Sequence, residues 1–290
     1  GMEEQTSARF INFQERSLAM NLVPAYDRGI QVHGAPLKGT TYALALSNGN
    51  LAANTLQNTT EPDKITDGKD VTGRATVNIA ELMDIKDTVI HLGGAFSRGD
   101  VDGGGKTIKV GTEGKGATFF ETKAFATGDK ISVARNGVEL GVSMGPVKFT
   151  SEYVKASYDG EVNNVAGSRD IDSWYAAINW NITGESYTPT YKGGKFGSRL
   201  KPNANFRPGA GWGAWEAGLR YSDFDASDFA GQVATASGAT KATAWTTGLK
   251  WIVNPNTRFL LNYVKTDFNG VKVGGADSER AITMRGQFDF

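Results

Sequence analysis

The stretch Thr243-Ala244-Trp245-Thr246-Thr247-Gly248-Leu249-Lys250-Trp251-Ile252-Val253 alternates with a period of two. Thr243, Trp245, Thr247, Leu249, Trp251 and Val253 fall on one face of an extended chain, and Ala244, Thr246, Gly248 and Lys250 on the other. Successive side chains of a strand point to opposite sides, so the pattern is a β-strand with a large apolar face backed by a small and polar one. Two further runs repeat it. Trp174, Ala176, Ile178, Trp180 and Ile182 oppose Tyr175, Ala177, Asn179 and Asn181, and Ile282, Met284, Gly286, Phe288 and Phe290 alternate with Ala281, Thr283, Arg285, Gln287 and Asp289.

Working outward from these runs predicts twelve strands, near 28–34, 40–48, 71–81, 87–97, 117–127, 130–144, 146–157, 171–183, 212–224, 240–253, 257–268 and 279–290. A strand of a soluble sandwich has about five or six residues, whereas one that crosses a bilayer at a tilt needs about nine to eleven. Most runs have the greater length. Trp215, Tyr221 and Trp251 stand near run ends, where amphipathic rings form aromatic girdles at the two membrane interfaces. Tight turns at Met144-Gly145-Pro146 and Asn254-Pro255-Asn256 alternate with long loops at 98–116, 184–211 and 225–239. The fold class expected is therefore all-β, a transmembrane antiparallel up-and-down β-barrel of twelve strands over residues 28–290.

Residues 1–27 do not alternate. Ser7 to Leu18 reads as a short helix capped by Ser7, with Phe10, Phe13 and Ser17 on one side. Such an arm either packs at the barrel mouth or enters the lumen as a plug.

Composition excludes several function classes. The 290 residues carry 31 basic and 31 acidic side chains, so the basic surface of a nucleic-acid binder is missing. The absence of cysteine removes disulfide scaffolds, thiolate nucleophiles and zinc-sulfur sites together. Thirty-seven glycines against eight prolines, without a G-X-Y period, suit many strands and turns. His33 and His91 lie on expected strands and lack the spacing of a metal site or the company of a catalytic triad. No enzyme activity, cofactor or metal is expected.

Charge on the lumen side decides what a pore passes. By strand parity Lys148, Arg220, Lys250 and Arg285 point inward with Glu139, Glu152 and Glu216, which predicts a mixed wall and at most a moderate preference for anions. The loop 184–211 holds Lys192, Lys195, Arg199 and Lys201, four positive charges within ten residues and no acid between them. Such groups are strong donors to phosphate or carboxylate, and with Arg220 they are the expected anion-selectivity residues. The same run also reads as a solvated loop that bridges anionic lipopolysaccharide.

Gly213-Ala214-Trp215-Glu216-Ala217-Gly218-Leu219-Arg220-Tyr221-Ser222, then Trp251, Asn262-Tyr263-Val264-Lys265 and Met284-Arg285-Gly286-Gln287-Phe288-Asp289-Phe290, resemble the C-terminal half of the phosphate-selective porin O and P family. Glu15-Arg16-Ser17-Leu18 followed by Arg28-Gly29-Ile30-Gln31 resembles the same family at the point after its early strands. The resemblance implies a sixteen-stranded, trimeric channel of the Gram-negative outer membrane, in contact with lipid and lipopolysaccharide, that passes small anions such as phosphate or polyphosphate by diffusion. It also implies an inward loop presenting two lysines, at the places of Lys192 and Lys201, with one residue fewer between them here. No residue matches the third lysine of the family's anion pocket. About four strands precede the Glu-Arg-Ser-Leu segment in the family, so the chain is read either as truncated or as a smaller barrel that closes with twelve strands. The alternative from another class is an autotransporter-like translocator, also a twelve-stranded barrel with a helix in its pore; the Gly-Ala-Trp-Glu…Arg-Tyr resemblance favours the porin.

Overall fold

Period-two patterning becomes antiparallel sheet along most of the chain. The computed structural model describes residues 1–24, 27–49, 56–57, 68–102, 105–126, 128 and 130–289. The strands are β1 (Gly29–Gly34), β2 (Thr40–Ser47), β3 (Leu56–Gln57), β4 (Asp70–Asn78), β5 (Thr88–Asp102), β6 (Thr107–Gly111), β7 (Thr118–Thr122) and β8 (Lys130–Met144). They continue with β9 (Val147–Val162), β10 (Val165–Asn181), β11 (Ala214–Asp225), β12 (Val233–Gly238), β13 (Lys241–Asn254), β14 (Thr257–Asp267) and β15 (Ser278–Phe288).

Eleven of them form one sheet in the order β1-β2-β4-β5-β8-β9-β10-β11-β13-β14-β15, each wall strand antiparallel to the next along the chain. This is the up-and-down wall expected from the sequence, and among the described residues eleven of the twelve expected strands belong to it. The run 117–127 is the difference: β7 joins a second sheet in the order β12-β7-β6-β3. This strand lacks the alternation of a wall strand, and its adjacent Phe119 and Phe120 are both buried against Phe224, at 5.2 and 5.5 Å between ring centres. Phe229 and Phe268 close round the same pair. The apolar side chains of β7 therefore fill the lumen instead of facing lipid. Among the described residues no ladder joins β1 to β15, and Phe290 lies outside them.

Strand direction sorts the connections into two ends. The turn at Gly145-Pro146, the turn between Asn254 and Thr257, and Asp289 after β15 share one end. Connections 48–69, 103–129, 226–240 and 268–277 share the other. In outer-membrane barrels the short turns face the periplasm and the long loops the exterior. Loop 184–211 leaves from the short-turn end. One tight turn stands at the long-loop end: Asn163 and Asn164, with φ of 50° and 60°, make the two-residue hairpin of β9 and β10. Both central residues of that turn type need positive φ, which asparagine tolerates. The hairpin carries β9 and β10 through residues 158–170, which the sequence reading left as a connection.

Parity holds across the wall. Trp180 is 50% exposed and its neighbour Asn181 is fully buried. Lys148, Arg220, Lys250, Glu139, Glu152 and Glu216 are all buried on the inner side, as expected. The outer rings form two belts. Trp174, Tyr221 and Trp245 make one, with centres 5.3 and 4.9 Å apart. Trp215, Trp251 and Phe259 make the other, at 5.4 and 5.9 Å. On β11 and on β13 the belts are six residues apart, or about 20 Å at roughly 3.3 Å per residue, close to the ~25 Å apolar band of an outer-membrane barrel.

Candidate functional site

The lumen is where the charged inner face meets three inward segments. Residues 1–24 are the first. The helix expected from Ser7 does not form; short helices span Met2–Gln5 and Leu18–Leu22, and turns and bends lie between them. The polar groups of this stretch bind one another and the wall: Arg16 reaches the carbonyls of Glu3, Glu4 and Thr6. Glu3 donates its backbone N–H to Glu152 Oε1 at 2.6 Å, and its own carboxylate accepts from Arg220 Nη1 at 3.0 Å and Ser17 Oγ at 2.7 Å. Asn12 donates to Glu216 Oε1 at 2.9 Å and accepts from Lys148, while Lys250 reaches Glu216 at 3.0 Å and the Ile11 carbonyl at 3.3 Å.

The second segment is the connection between β5 and β8. Its Glu113 accepts from Arg220 Nη2 at 2.6 Å, from Ser222 and Thr246 hydroxyls at 2.5 and 2.6 Å, and from the Leu18 N–H at 3.1 Å. Glu216 and Arg220 of the Gly-Ala-Trp-Glu…Arg-Tyr stretch are therefore struts that hold residues 1–24 inside the barrel, Glu216 through Asn12 and Arg220 through Glu3. Arg220 is linked to the Glu-Arg-Ser-Leu stretch through Glu3, which accepts from Ser17, and through Glu113, which accepts from the Leu18 N–H.

Loop 184–211 is the third. Tyr187 and Phe196 are buried in the lumen and enclose the Lys148 ammonium, 4.7 and 4.9 Å from their ring centres. Tyr191 Oη lies 2.7 Å from His91 Nδ1, and Arg74 Nη2 donates to the Gly194 carbonyl at 2.7 Å while its Nε pairs with Glu139 at 2.7 Å. The tip is a tight turn closed by the Lys192 N–H on the Lys195 carbonyl at 2.8 Å, with Gly193 and Gly194 at φ of 59° and 74°. Only glycine takes two such values without a Cβ penalty.

The expected selectivity residues do not form one cluster. Lys192 and Lys195 flank the tip, the first exposed and the second half-buried. Burial, with the Arg74 guanidinium near it, lowers the Lys195 ammonium below the usual lysine range. Lys201 is exposed. Arg199 is bound at the rim, where it donates to Asn256 Oδ1 at 2.6 Å and Asp289 Oδ2 at 3.3 Å. Arg220 lies deep in the lumen, with both terminal nitrogens on carboxylates, so it acts as a strut between the wall and the inward segments.

The rim also contains residues that the sequence reading passed over. Arg9 and Arg258 reach Asp289 at 3.2 and 3.3 Å, so three guanidinium groups share that carboxylate with Gln287. Arg285 stands beside them and donates to the Ala8 carbonyl at 3.1 Å. Parity alone places Arg258 and Arg285 inward, but their meeting with Arg9 and Arg199 depends on where the inward segments run.

A charged, segment-filled lumen inside a lipid-facing meander is the architecture of a channel. All 290 residues, 1–290, match the sequence model of the family described as phosphate-selective porin O and P. The chain belongs to that family. This porin is accordingly a protein of the Gram-negative outer membrane. Among solved structures it is similar to in-vitro folded OmpT, an outer membrane protein of Vibrio cholerae, at 16% identity over 99% of this chain and 69% of that one, with a TM-score of 0.47. It is similar to outer-membrane expressed OmpT of Vibrio cholerae at 16% identity over 89% of this chain and 60% of that one, with a TM-score of 0.41. The NanC porin aligns at 10% identity over 91% of this chain and 98% of its own, with a TM-score of 0.34. The search of curated proteins finds no match.

Proposed function

We propose that this porin is a passive diffusion channel for small anions, phosphate and polyphosphate among them, that works as a homotrimer in outer-membrane lipid and lipopolysaccharide. One observation carries the anion preference: at the short-turn mouth Arg9, Arg199 and Arg258 converge on the single carboxylate of Asp289, with Arg285 beside them. Lys192, Lys195 and Lys201 add positive charge along loop 184–211. A surplus of cationic donors at a constriction lowers the energy of a partly dehydrated anion and leaves it free to exit. Deeper in the lumen Lys148, Lys250 and Arg220 are balanced by carboxylates or bound to the inward segments, so the preference is moderate.

The test is a planar bilayer with a salt gradient. Stepwise conductance establishes the pore, and a reversal potential of the sign for chloride supports the preference. Clear cation selectivity overturns it. Added phosphate is expected to reduce the chloride current, and Lys192→Gln with Lys201→Gln is expected to weaken that effect. An unchanged effect removes loop 184–211 from the anion path.

A further inference from the structure

A cavity of about 380 Å³ runs between residues 1–5 and the inner faces of β4, β5, β8 and β9. Its net charge is opposite to that of the mouth: five carboxylates line it against two guanidinium groups and the Gly1 ammonium, which lies beside Glu152. Three of the carboxylates have partners elsewhere. Glu139 pairs with Arg74 at 2.7 Å, Glu4 with Arg16 at 3.2 Å, and Asp27 accepts from the Gly49 N–H at 3.1 Å.

Asp70 and Glu152 differ. They are 3% and 2% exposed, both line the cavity, and each keeps one buried oxygen, Asp70 Oδ1 and Glu152 Oε2, without a hydrogen-bond partner. Glu152 spends its other oxygen on the Glu3 N–H and the Tyr175 hydroxyl. Arg135, Asp27 and Asp100 are the charged neighbours of Asp70. A buried acceptor without a donor is unfavourable, and a carboxylate without one more so. The strand register brings Asp70 level with Tyr158 on β9, six residues from Glu152, or about 20 Å along the strand at roughly 3.3 Å per residue. The two free acceptors thus stand well apart along the wall of one acidic space.

We infer that this cavity binds linear polyammonium solutes, with Asp70 and Glu152 as the two stations that accept their ammonium groups. An extended polyamine has the slender section and the spaced N–H donors that two separated carboxylates require, and a compact anion has neither. The inference rests on the reading of the chain as a channel only in that the solute enters through the lumen.

Isothermal titration calorimetry of the folded protein in detergent, at low salt with spermine as the probe, tests it. Saturable binding is expected, at least tenfold weaker in Asp70→Asn with Glu152→Gln, and unchanged in Asp267→Asn, which lies outside the cavity. These replacements keep side-chain shape, and heat-dependent gel mobility checks that each variant is folded. Absence of saturable binding, or equal binding by the double variant, overturns the site. Single-channel recording separates the two readings: conductance without spermine binding sinks the site alone, and spermine binding without conductance sinks the channel alone.

Discussion

Arg220 on β11 and Glu3 in the lumen segment meet at 3.0 Å, and the same guanidinium holds Glu113 at 2.6 Å. One wall side chain thereby joins two separate stretches of chain across the lumen. Arg220→Met leaves two carboxylates facing each other without their cation, and breaking a buried pair in this way costs about 3–5 kcal/mol. The expected outcome is a lower urea midpoint together with a larger single-channel conductance, because residues 1–24 lose a main tether. An unchanged conductance would show that the segment is held in the lumen by its other contacts alone.

Phe13 sits where two glycines make room for it. Gly218 and Gly248 pair across β11 and β13, and a Cβ on either would come within 3.0 or 3.1 Å of the Phe13 ring. The Arg220 guanidinium covers the same ring at 4.7 Å. Gly248→Val is expected to destabilise by about 1–3 kcal/mol through overpacking. Adding Phe13→Ala to Gly248→Val should recover part of that loss, a non-additivity that a double-mutant cycle in urea measures. Full additivity would show that the valine clashes with Asn262 and not with Phe13.

The outer wall was readable in the sequence because lipid on one side and charge on the other impose a strict period of two, as in Trp245, Leu249 and Trp251 against Thr246 and Lys250. The inward direction of Glu216, Arg220 and Lys250 follows from the same parity. What those side chains bind does not follow, since Glu3, Asn12 and Glu113 reach them from segments without periodicity. Residues 118–122 have strand-forming composition but carry Phe119 and Phe120 side by side, and it is long-range packing on Phe224, Phe229 and Phe268 that sends them into the lumen. The Asp289 cluster escaped for a similar reason: it joins residues 9, 199, 258 and 289, which no local pattern connects.

Lys195 gives the anion preference a pH dependence. Its folded pKa is lowered by burial and by Arg74, so it loses its charge at a lower pH than an ordinary lysine does. The charged form is the one disfavoured in the folded protein, so raising the pH relieves a penalty and does not destabilise the loop. Reversal potentials measured in alkaline steps from pH 7 are expected to show anion preference beginning to fall below the usual lysine range. Lys195→Met should remove that early fall and lower the preference at pH 7. A profile that is the same in Lys195→Met and the parent protein places Lys195 off the ion path.

Asp289 sets how much of the rim's positive charge a passing anion meets. Burial works against its carboxylate, but donors on Gln287 and Arg9 and the charges of Arg9 and Arg258 outweigh burial and hold its pKa below the usual carboxylate range. A depressed carboxylate contributes stability above its unfolded pKa and loses it only as pH falls through the folded value. The rim should therefore keep its arrangement under mild acid, and selectivity should stay level until the pH is below the range where ordinary aspartates titrate. Asp289→Asn removes the shared negative charge and keeps the side-chain shape. Its expected effect is a reversal potential shifted further toward chloride, with greater current noise as Arg9 and Arg199 lose a common anchor. A shift toward potassium would mean that freed arginines turn away from the path, and that Asp289 serves the anion route by holding them in it.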